Sequence, residues 1–367
     1  MAYQVLYRKY RPRDFSEVVG QDHIISVIRR QIEKGEVAHA YLFSGPRGIG
    51  KTSVARIIAK STNCTSANNK PCNACPSCEA FNSGRALNLI EIDAASNRGI
   101  DDIRELREAV RFAPAEGGAK VYIIDEVHQL TKDAFNALLK TLEEPPAHAI
   151  FILATTELDK VPATIISRTQ HFDFRRPRRD VLRDRLIAVA LKEGVKLEAD
   201  AAEAVAFAAE GSVRDAESML GKIMAVEDKV ITLTEVEDTL GIPKREALTK
   251  IFEAVGNKNL KEAVGFVDRL YHDGYEMEYL AKMLISFFRD ALLAKTDPSF
   301  NAAGYGSLLA EESRLLASSI SAYSADDLAR SIVEFIGALE SSRRNPIPQL
   351  PLELALINII SGHSRGV

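Results

Sequence analysis

Residues Gly45-Pro46-Arg47-Gly48-Ile49-Gly50-Lys51-Thr52 form a glycine-rich loop. It lies between an apolar run at 40–44 and a stretch that carries Val54, Ile57 and Ile58 on one helical face. A loop of this pattern works only with a strand before it and a helix after it, so it commits the chain to an α/β core. Its glycines let backbone N–H groups turn inward onto phosphate oxygens, and the following helix adds the positive end of its dipole. Lys51 can reach the β- and γ-phosphates of ATP, and the Thr52 hydroxyl, next to Ser53, is a ligand for Mg2+.

The surrounding sequence agrees with that commitment. Four runs rich in Ile, Val, Leu, Tyr and Phe, at 40–44, 88–92, 120–124 and 150–154, are expected to be strands buried on both faces. Helical patterns separate them, as in a parallel sheet flanked by helices. Ile103, Leu106 and Val110 share one face, and Pro114 stops that pattern. Phe135, Leu138, Leu139 and Leu142 mark another helix, with Thr131 as N-cap and Pro145-Pro146 as the stop. The run Val121-Tyr-Ile-Ile-Asp125-Glu126 ends a strand in two acids. Asp125 is then placed to hold the metal with Thr52, and Glu126 to orient or activate an attacking water. Two acids at a strand end are ordinarily a capped loop; beside an intact phosphate loop they indicate hydrolysis.

After Phe174 the strand pattern fades. Residues 176–240 read as a small helical unit, and Gly241-Ile242-Pro243 is a boundary signal. The remainder again reads as all-helical. Its clearest helix carries Met277, Leu280, Met283, Leu284, Phe287, Phe288 and Leu292, a stripe too wide for a lone surface helix. The expected organisation is a nucleotide-binding domain over 1–175 with an insertion at 64–78, a helical lid over 176–241, and an all-helical domain over 242–367.

With 367 residues, two or three domains are expected. No apolar run reaches the roughly 18 residues of a membrane span, and no apolar stretch follows the basic N-terminus, which points to the cytoplasm. The net charge of -4 argues against a surface coated in positive charge. Two stretches are locally basic, Arg8 to Arg13 and Arg168 to Arg185, and solvated surface is the ordinary reading of such runs.

All four cysteines fall in one loop, Cys64, Cys72, Cys75 and Cys78, with two overlapping C-x2-C steps. Four thiolates satisfy tetrahedral Zn2+ and leave no open position, so the role is structural. Disulfides are disfavoured in the cytoplasm, which leaves an iron–sulfur cluster as the competitor, although the spacing differs from the ferredoxin run.

Together, YQVLYRKYRPRDFSEVVGQDH, FSGPRGIGKTS, the cysteine loop, EIDAASNRGID, VYIIDEVHQL, NALLKTLEEPP, LATTE, SRTQ and GSVRDA resemble, in order, the gamma/tau subunits of bacterial sliding-clamp loaders, ATPases of the AAA+ type. The likeness is specific over about the first 240 residues and weaker beyond. It implies an AAA+ parallel-sheet domain, a helical lid and a helical oligomerisation collar. Thr155 matches the residue that senses the γ-phosphate. Arg168 matches an arginine finger acting in trans on a neighbouring subunit's ATP. Arg214 matches the lid arginine that turns back onto its own nucleotide. Arg8, Arg11, Pro12, Val18 and Val19 match the segment lining the adenine and ribose pocket. One departure is Thr169, where the family usually has Cys.

The resemblance further implies ATP, Mg2+ and structural zinc, and work within the DNA polymerase III holoenzyme. The implied partners are the delta and delta prime subunits in a pentameric ring, a sliding clamp and primer–template DNA. Asn97 and Arg98, just before a helix start, are the expected phosphate contacts on DNA. Two rivals remain at this stage: a homohexameric helicase or remodeller, and a scaffold that binds ATP without turnover.

Overall fold

A computed structural model of the chain describes residues 4–67, 69–114, 118–226, 229–297, 320–342 and 345–362. Tyr3 of the opening motif and parts of the expected collar, 298–319, 343–344 and 363–367, lie outside the described residues. The chain divides into two compact units, Met1–Val189 with Ala209–Gly221, and Ala190–Ala208 with Lys222–Val367.

In chain order the first elements are α1 (Leu6–Lys9), α2 (Asp22–Lys34), β1 (Ala40–Ser44), α3 (Lys51–Thr62), α4 (Pro76–Asn82), β2 (Leu89–Asp93) and α5 (Ile100–Val110). Then come β3 (Lys120–Asp125), α6 (Lys132–Glu143), β4 (Ala149–Thr155), α7 (Ala163–Ile166), β5 (Gln170–Asp173) and α8 (Arg179–Lys192). The five strands form a parallel sheet in the order β2-β3-β4-β1-β5. Helices cover both faces. On one, Ile24, Ile28, Val54 and Ile58 pack on Tyr41, Phe43, Ile123 and Ile152. On the other, Leu106, Val110, Phe135 and Leu138 pack on Leu42, Ile124, Phe151 and Leu153. Burial on both faces explains why the central strands read as unbroken apolar runs.

The strand order places the site. β4 lies between the strand that feeds the phosphate loop and the strand that ends in acids. Ser44 is in register with Thr155, and Ile124 with Leu153, so all three strands end at one edge. In open parallel sheets the crevice beyond the carboxyl ends of the strands is where ligands bind.

Two strand features escaped the sequence pattern. The sheet has a fifth strand, β5, whose residues Gln-His-Phe-Asp alternate between half-buried and exposed. It is an edge strand, so it needs no apolar run. In the segment expected to be all-helical, β6 (Lys196–Leu197) and β7 (Val230–Ile231) form a two-residue parallel pair, too short to show a period of two.

The remaining helices are α9 (Ala199–Ala208), α10 (Val213–Ile223), α11 (Leu233–Leu240), α12 (Arg245–Gly256), α13 (Leu260–His272), α14 (Met277–Thr296), α15 (Ala325–Ser342) and α16 (Leu350–Ser361). Gly241 caps α11 in the left-handed conformation, φ 64°. The wide stripe on α14 is consumed within its own unit. Phe287 and Phe288 meet Phe252 at ring distances of 5.2 and 5.0 Å, and Phe288 meets Phe335 at 5.1 Å. No helix among the described residues is long and apolar enough to cross a membrane.

Candidate nucleotide site and metal centre

The loop between β1 and α3 closes tightly on its surroundings. Gly45 has φ +130°, and a Cβ there would lie 2.3 Å from the Phe174 carbonyl oxygen. Gly48 has φ +77°, and its Cβ would lie 2.1 Å from Ser212 Oγ. Both positions therefore require glycine. The Gly48 carbonyl also accepts a hydrogen bond from the Arg214 amide at 3.2 Å, which ties the loop to the start of α10. Lys51 is buried, and its ammonium donates to the carbonyl oxygens of Gly45 and Pro46 at 2.5 and 2.7 Å. Burial pushes its pKa down, while Glu126 and Asp125 pull it back up.

Thr52 Oγ1 donates to Asp125 Oδ2 at 2.9 Å, so the two expected magnesium ligands touch. A hydroxyl beside a carboxylate is the all-oxygen donor set that Mg2+ takes. Glu126 follows with φ +48°, a conformation that costs a non-glycine residue energy. Its carboxylate accepts from Thr156 Oγ1 at 2.9 Å. Thr155, fully buried, shares its hydroxyl with His128 Nδ1 at 3.0 Å and with the Glu157 amide at 3.0 Å.

A cavity of about 440 Å3 brings these groups together. Gly48, Ile49, Gly50, Lys51, Thr52 and Ser53 line it with Arg47, and so do Asp125 and Glu126. Arg11, Pro12, Val18 and Val19 line it too, with Arg214 from α10. Gly45 and Pro46 do not line it; their carbonyls are the partners of Lys51. Thr155 is held at the same edge of the sheet but lines no part of the cavity. Arg8 does not line it either; its guanidinium lies 5.8 Å from the Tyr7 ring centre, on the side of a second cavity.

A family model described as "DNA polymerase III, delta subunit" matches residues 20–178, and one described as "DNA polymerase III subunits gamma and tau domain III" matches 231–365. DNA polymerase III subunit tau of Bacillus subtilis is 45% identical over 302 residues, covering 81% of this chain and 53% of that protein. DNA polymerase III subunit tau of Escherichia coli is 40% identical over 300 residues, covering 82% and 47%. The chain belongs to the DNA polymerase III gamma/tau family. It spans about half the length of the curated relatives it matches. A solved structure of RuvB from Thermotoga maritima, titled a Holliday junction branch migration motor, has a similar fold. It covers 67% of this chain and 79% of that one, with TM-score 0.50 and 21% identity.

In this gamma/tau family member the four cysteines converge as their spacing requires. Their Sγ atoms lie within 4.8 Å of one another, and none is in a disulfide. Backbone amides of Cys72, Cys75 and Cys78 donate to the sulfurs of Cys64, Cys72 and Cys75 at 3.3–3.4 Å. Such donors favour thiolates. Burial pushes the Cys75 thiol up, but the amides of Cys78 and Thr65 bring it down to about 5. Burial pushes Cys78 up to about 12. A cluster that holds some thiols anionic and others neutral is suited to a cation, and the donor set fits zinc.

Arg168 lies away from its own cavity. It donates to Glu143 at 2.7 Å and to the Thr164 carbonyl at 3.0 Å. Arg98 is exposed and donates to the Ala95 carbonyl; Asn97 donates to the Asp93 carbonyl. The helix start beyond them carries Asp101 and Asp102, and Asp102 caps the Gly99 amide at 3.0 Å, so any phosphate contact there rests on the Arg98 side chain.

Sequence reasoning missed four residues. Tyr7 lines the cavity, with the Arg214 guanidinium 4.7 Å from its ring centre. Arg185 bridges Glu217 at 3.0 Å and the Tyr10 carbonyl at 2.8 Å, and both Arg185 and Glu217 line the cavity. His128 was the fourth. Tyr7 sits inside the quoted YRKYRP segment and His128 inside VYIIDEVHQL, so proximity to motifs was their signal. Arg185 and Glu217 had none.

Proposed function

We propose that this chain is the ATP-hydrolysing motor of a bacterial sliding-clamp loader. One observation carries the reading: a phosphate loop, a hydroxyl–carboxylate pair and a lid arginine face a single cavity, and the arginine matching the finger does not. Lys51 would exchange its two carbonyl partners for phosphate oxygens. Thr52 and Asp125 would hold Mg2+, which supplies charge neutralisation on the phosphates. Glu126 orients the attacking water, and its bond to Thr156 must loosen for it to do so. Thr155 responds to the γ-phosphate, and Arg214 closes over the nucleotide with Tyr7 behind it.

The division into a nucleotide-binding domain over 1–175, a lid over 176–241 and a collar over 242–367 belongs to this reading. So do zinc on Cys64, Cys72, Cys75 and Cys78, and a cytoplasmic location. Family membership supports delta and delta prime subunits as ring partners, a clamp as the object opened, and primer–template DNA as the trigger. Asn97 and Arg98 contribute phosphate contacts on that DNA. The test is ATPase rate in the assembled loader, with and without clamp and primed DNA. Stimulation by both together is expected. Turnover indifferent to clamp, with directional unwinding by like subunits, would replace the reading with a helicase; binding without turnover would leave a scaffold.

A further inference from the structure

A second cavity, of about 840 Å3, lies beside the nucleotide cavity and is roughly twice its size. The two share Arg11 and Pro12. Its walls come from the N-terminal segment, the outer face of α3, the end of α4 and the start of β2. Six cations line it, Arg8, Lys9, Arg11, Arg13, Arg56 and Lys60, against one carboxylate, Glu91, among the described residues. Glu91 is already engaged by the Arg56 guanidinium.

The charge on Arg11, Arg13 and Arg56 is incompletely compensated. Arg56 Nε is buried without a hydrogen-bond partner. No carboxylate among the described residues is within ion-pair distance of Arg11 or Arg13. Lys60 is 3% exposed, and its ammonium is held by the Arg13 carbonyl and the amide oxygens of Asn73 and Asn82, all of them neutral. Cys78, Asp14 and Glu17 add favourable charge around Lys60, and Glu17 also accepts from the Arg13 backbone amide at 2.7 Å. Burial, and repulsion from Arg56, Arg214 and Arg8, push the Arg11 pKa down, against the opposing pull of Glu91. An unpaired donor in a low-dielectric pocket is costly, and clustered guanidiniums are the geometry that phosphate oxygens satisfy bidentately. Phe81 adds an aromatic side chain to the lining.

We propose that this cavity is a second anion site that binds a phosphate ester, distinct from the phosphate loop. The phosphate comes either from a free polyphosphate or nucleotide, or from a nucleic-acid backbone. Arg13 and Arg56 line only this cavity, so the proposal stands apart from the reading of the phosphate loop. The shared Arg11 couples the two sites.

The experiment uses the full chain with its phosphate loop saturated by a non-hydrolysable ATP analogue. Inorganic triphosphate and, separately, a short single-stranded oligonucleotide are titrated in by calorimetry. At least one should bind, and R13E should weaken that binding by roughly tenfold, with R56Q weakening it less. Affinity for the ATP analogue should stay unchanged in both variants, which also reports that they fold. Triphosphate binding alone assigns the free anion; oligonucleotide binding with a steep salt dependence assigns the backbone. If neither probe binds the saturated chain, or if R13E and R56Q leave the affinity at the wild-type value, the cavity is not an anion site.

Discussion

Two lysines on α3 are buried alike, Lys51 at its start and Lys60 near its end, with 6% and 3% exposure, and burial pushes both pKa values down. Their partners differ. Lys51 donates to two carbonyls of its own loop, five and six residues away, in a cavity open to ligand. Lys60 joins three separate segments, through Arg13, Asn73 and Asn82, beside the cysteine loop. The first cation can change partners at little cost to the fold; the second is a strut. Burial alone therefore does not tell a functional lysine from a structural one. The sequence distance spanned by its partners does.

Arg168 extends the comparison to a cation outside its own cavity, and it carries the largest expected effect. Like Lys51 it is held by a replaceable partner, the half-exposed Glu143. As an arginine finger in trans it would contribute about 10³- to 10⁵-fold in rate. R168A should bind ATP normally and enter the complex, yet lose DNA-stimulated turnover by that factor. In mixed complexes it should silence the neighbour's site while its own still fires. Loss of ATP affinity in the isolated chain would make Arg168 a cis ligand.

The next test sets the lysines directly against each other. K51A removes a charge-assisted contact worth about 2 to 3 kcal/mol, so ATP affinity should fall roughly 100-fold with little change in the urea midpoint. K60M should do the reverse. It leaves three oxygens without their donor, at a cost of about 3 kcal/mol in stability, while ATP affinity in the remaining folded protein holds. If K60M lost ATP affinity and kept its stability, the distinction between the two ends of α3 would collapse.

How legible each end was follows from the same difference. The phosphate loop could be read because backbone geometry demands glycine at Gly45 and Gly48, and strand burial demands the flanking apolar runs. The cysteines could be read because their spacing is the one a four-sulfur site needs, and the fold brings the sulfurs within 4.8 Å of one another. Lys60 could not, since its three acceptors are brought together only by the fold. The same holds for Arg185, whose partners Tyr10 and Glu217 lie 175 and 32 residues away. β5 was missed because an edge strand paired on one side carries no apolar signature. Arg8 was assigned to the nucleotide by its motif, and only the turn of the N-terminal segment puts its guanidinium beside the second cavity.

The cysteine loop offers a milder perturbation of the strut end. One zinc per chain is expected by elemental analysis, without iron or labile sulfide. Removing it with a chelator should lower the stability of the loop and of the α3 end near Lys60, through Asn73. ATP binding at the other end, about 15 Å away along the 1.5 Å rise of a helix, should change less than about twofold. Metal-free protein that still gave one intact, equally stable loop would show that hydrogen bonds alone hold the sulfurs together.

The most gradual effect, spread over pH, concerns a carboxylate of the nucleotide cavity that burial neutralises. Glu217 is 3% exposed; burial raises its pKa from 4.5 to about 7, against the opposing pull of Arg185. Between those two values the folded chain holds a proton that the unfolded chain has released. Stability contributed by this group is therefore fully present below about pH 4.5 and declines as pH rises towards 7, by at most about 1 kcal/mol per pH unit. Above 7 both states are ionised and the slope vanishes. E217Q keeps the shape and removes the titration, so its stability should run flatter than wild type between pH 5 and 7 and parallel to it above pH 8. Urea midpoints of both chains across that range test this, and identical slopes would mean that Arg185 holds Glu217 ionised throughout. In that case Arg185 and Glu217 form a fixed ion pair, a strut like Lys60, bracing the wall of the cavity rather than tuning it.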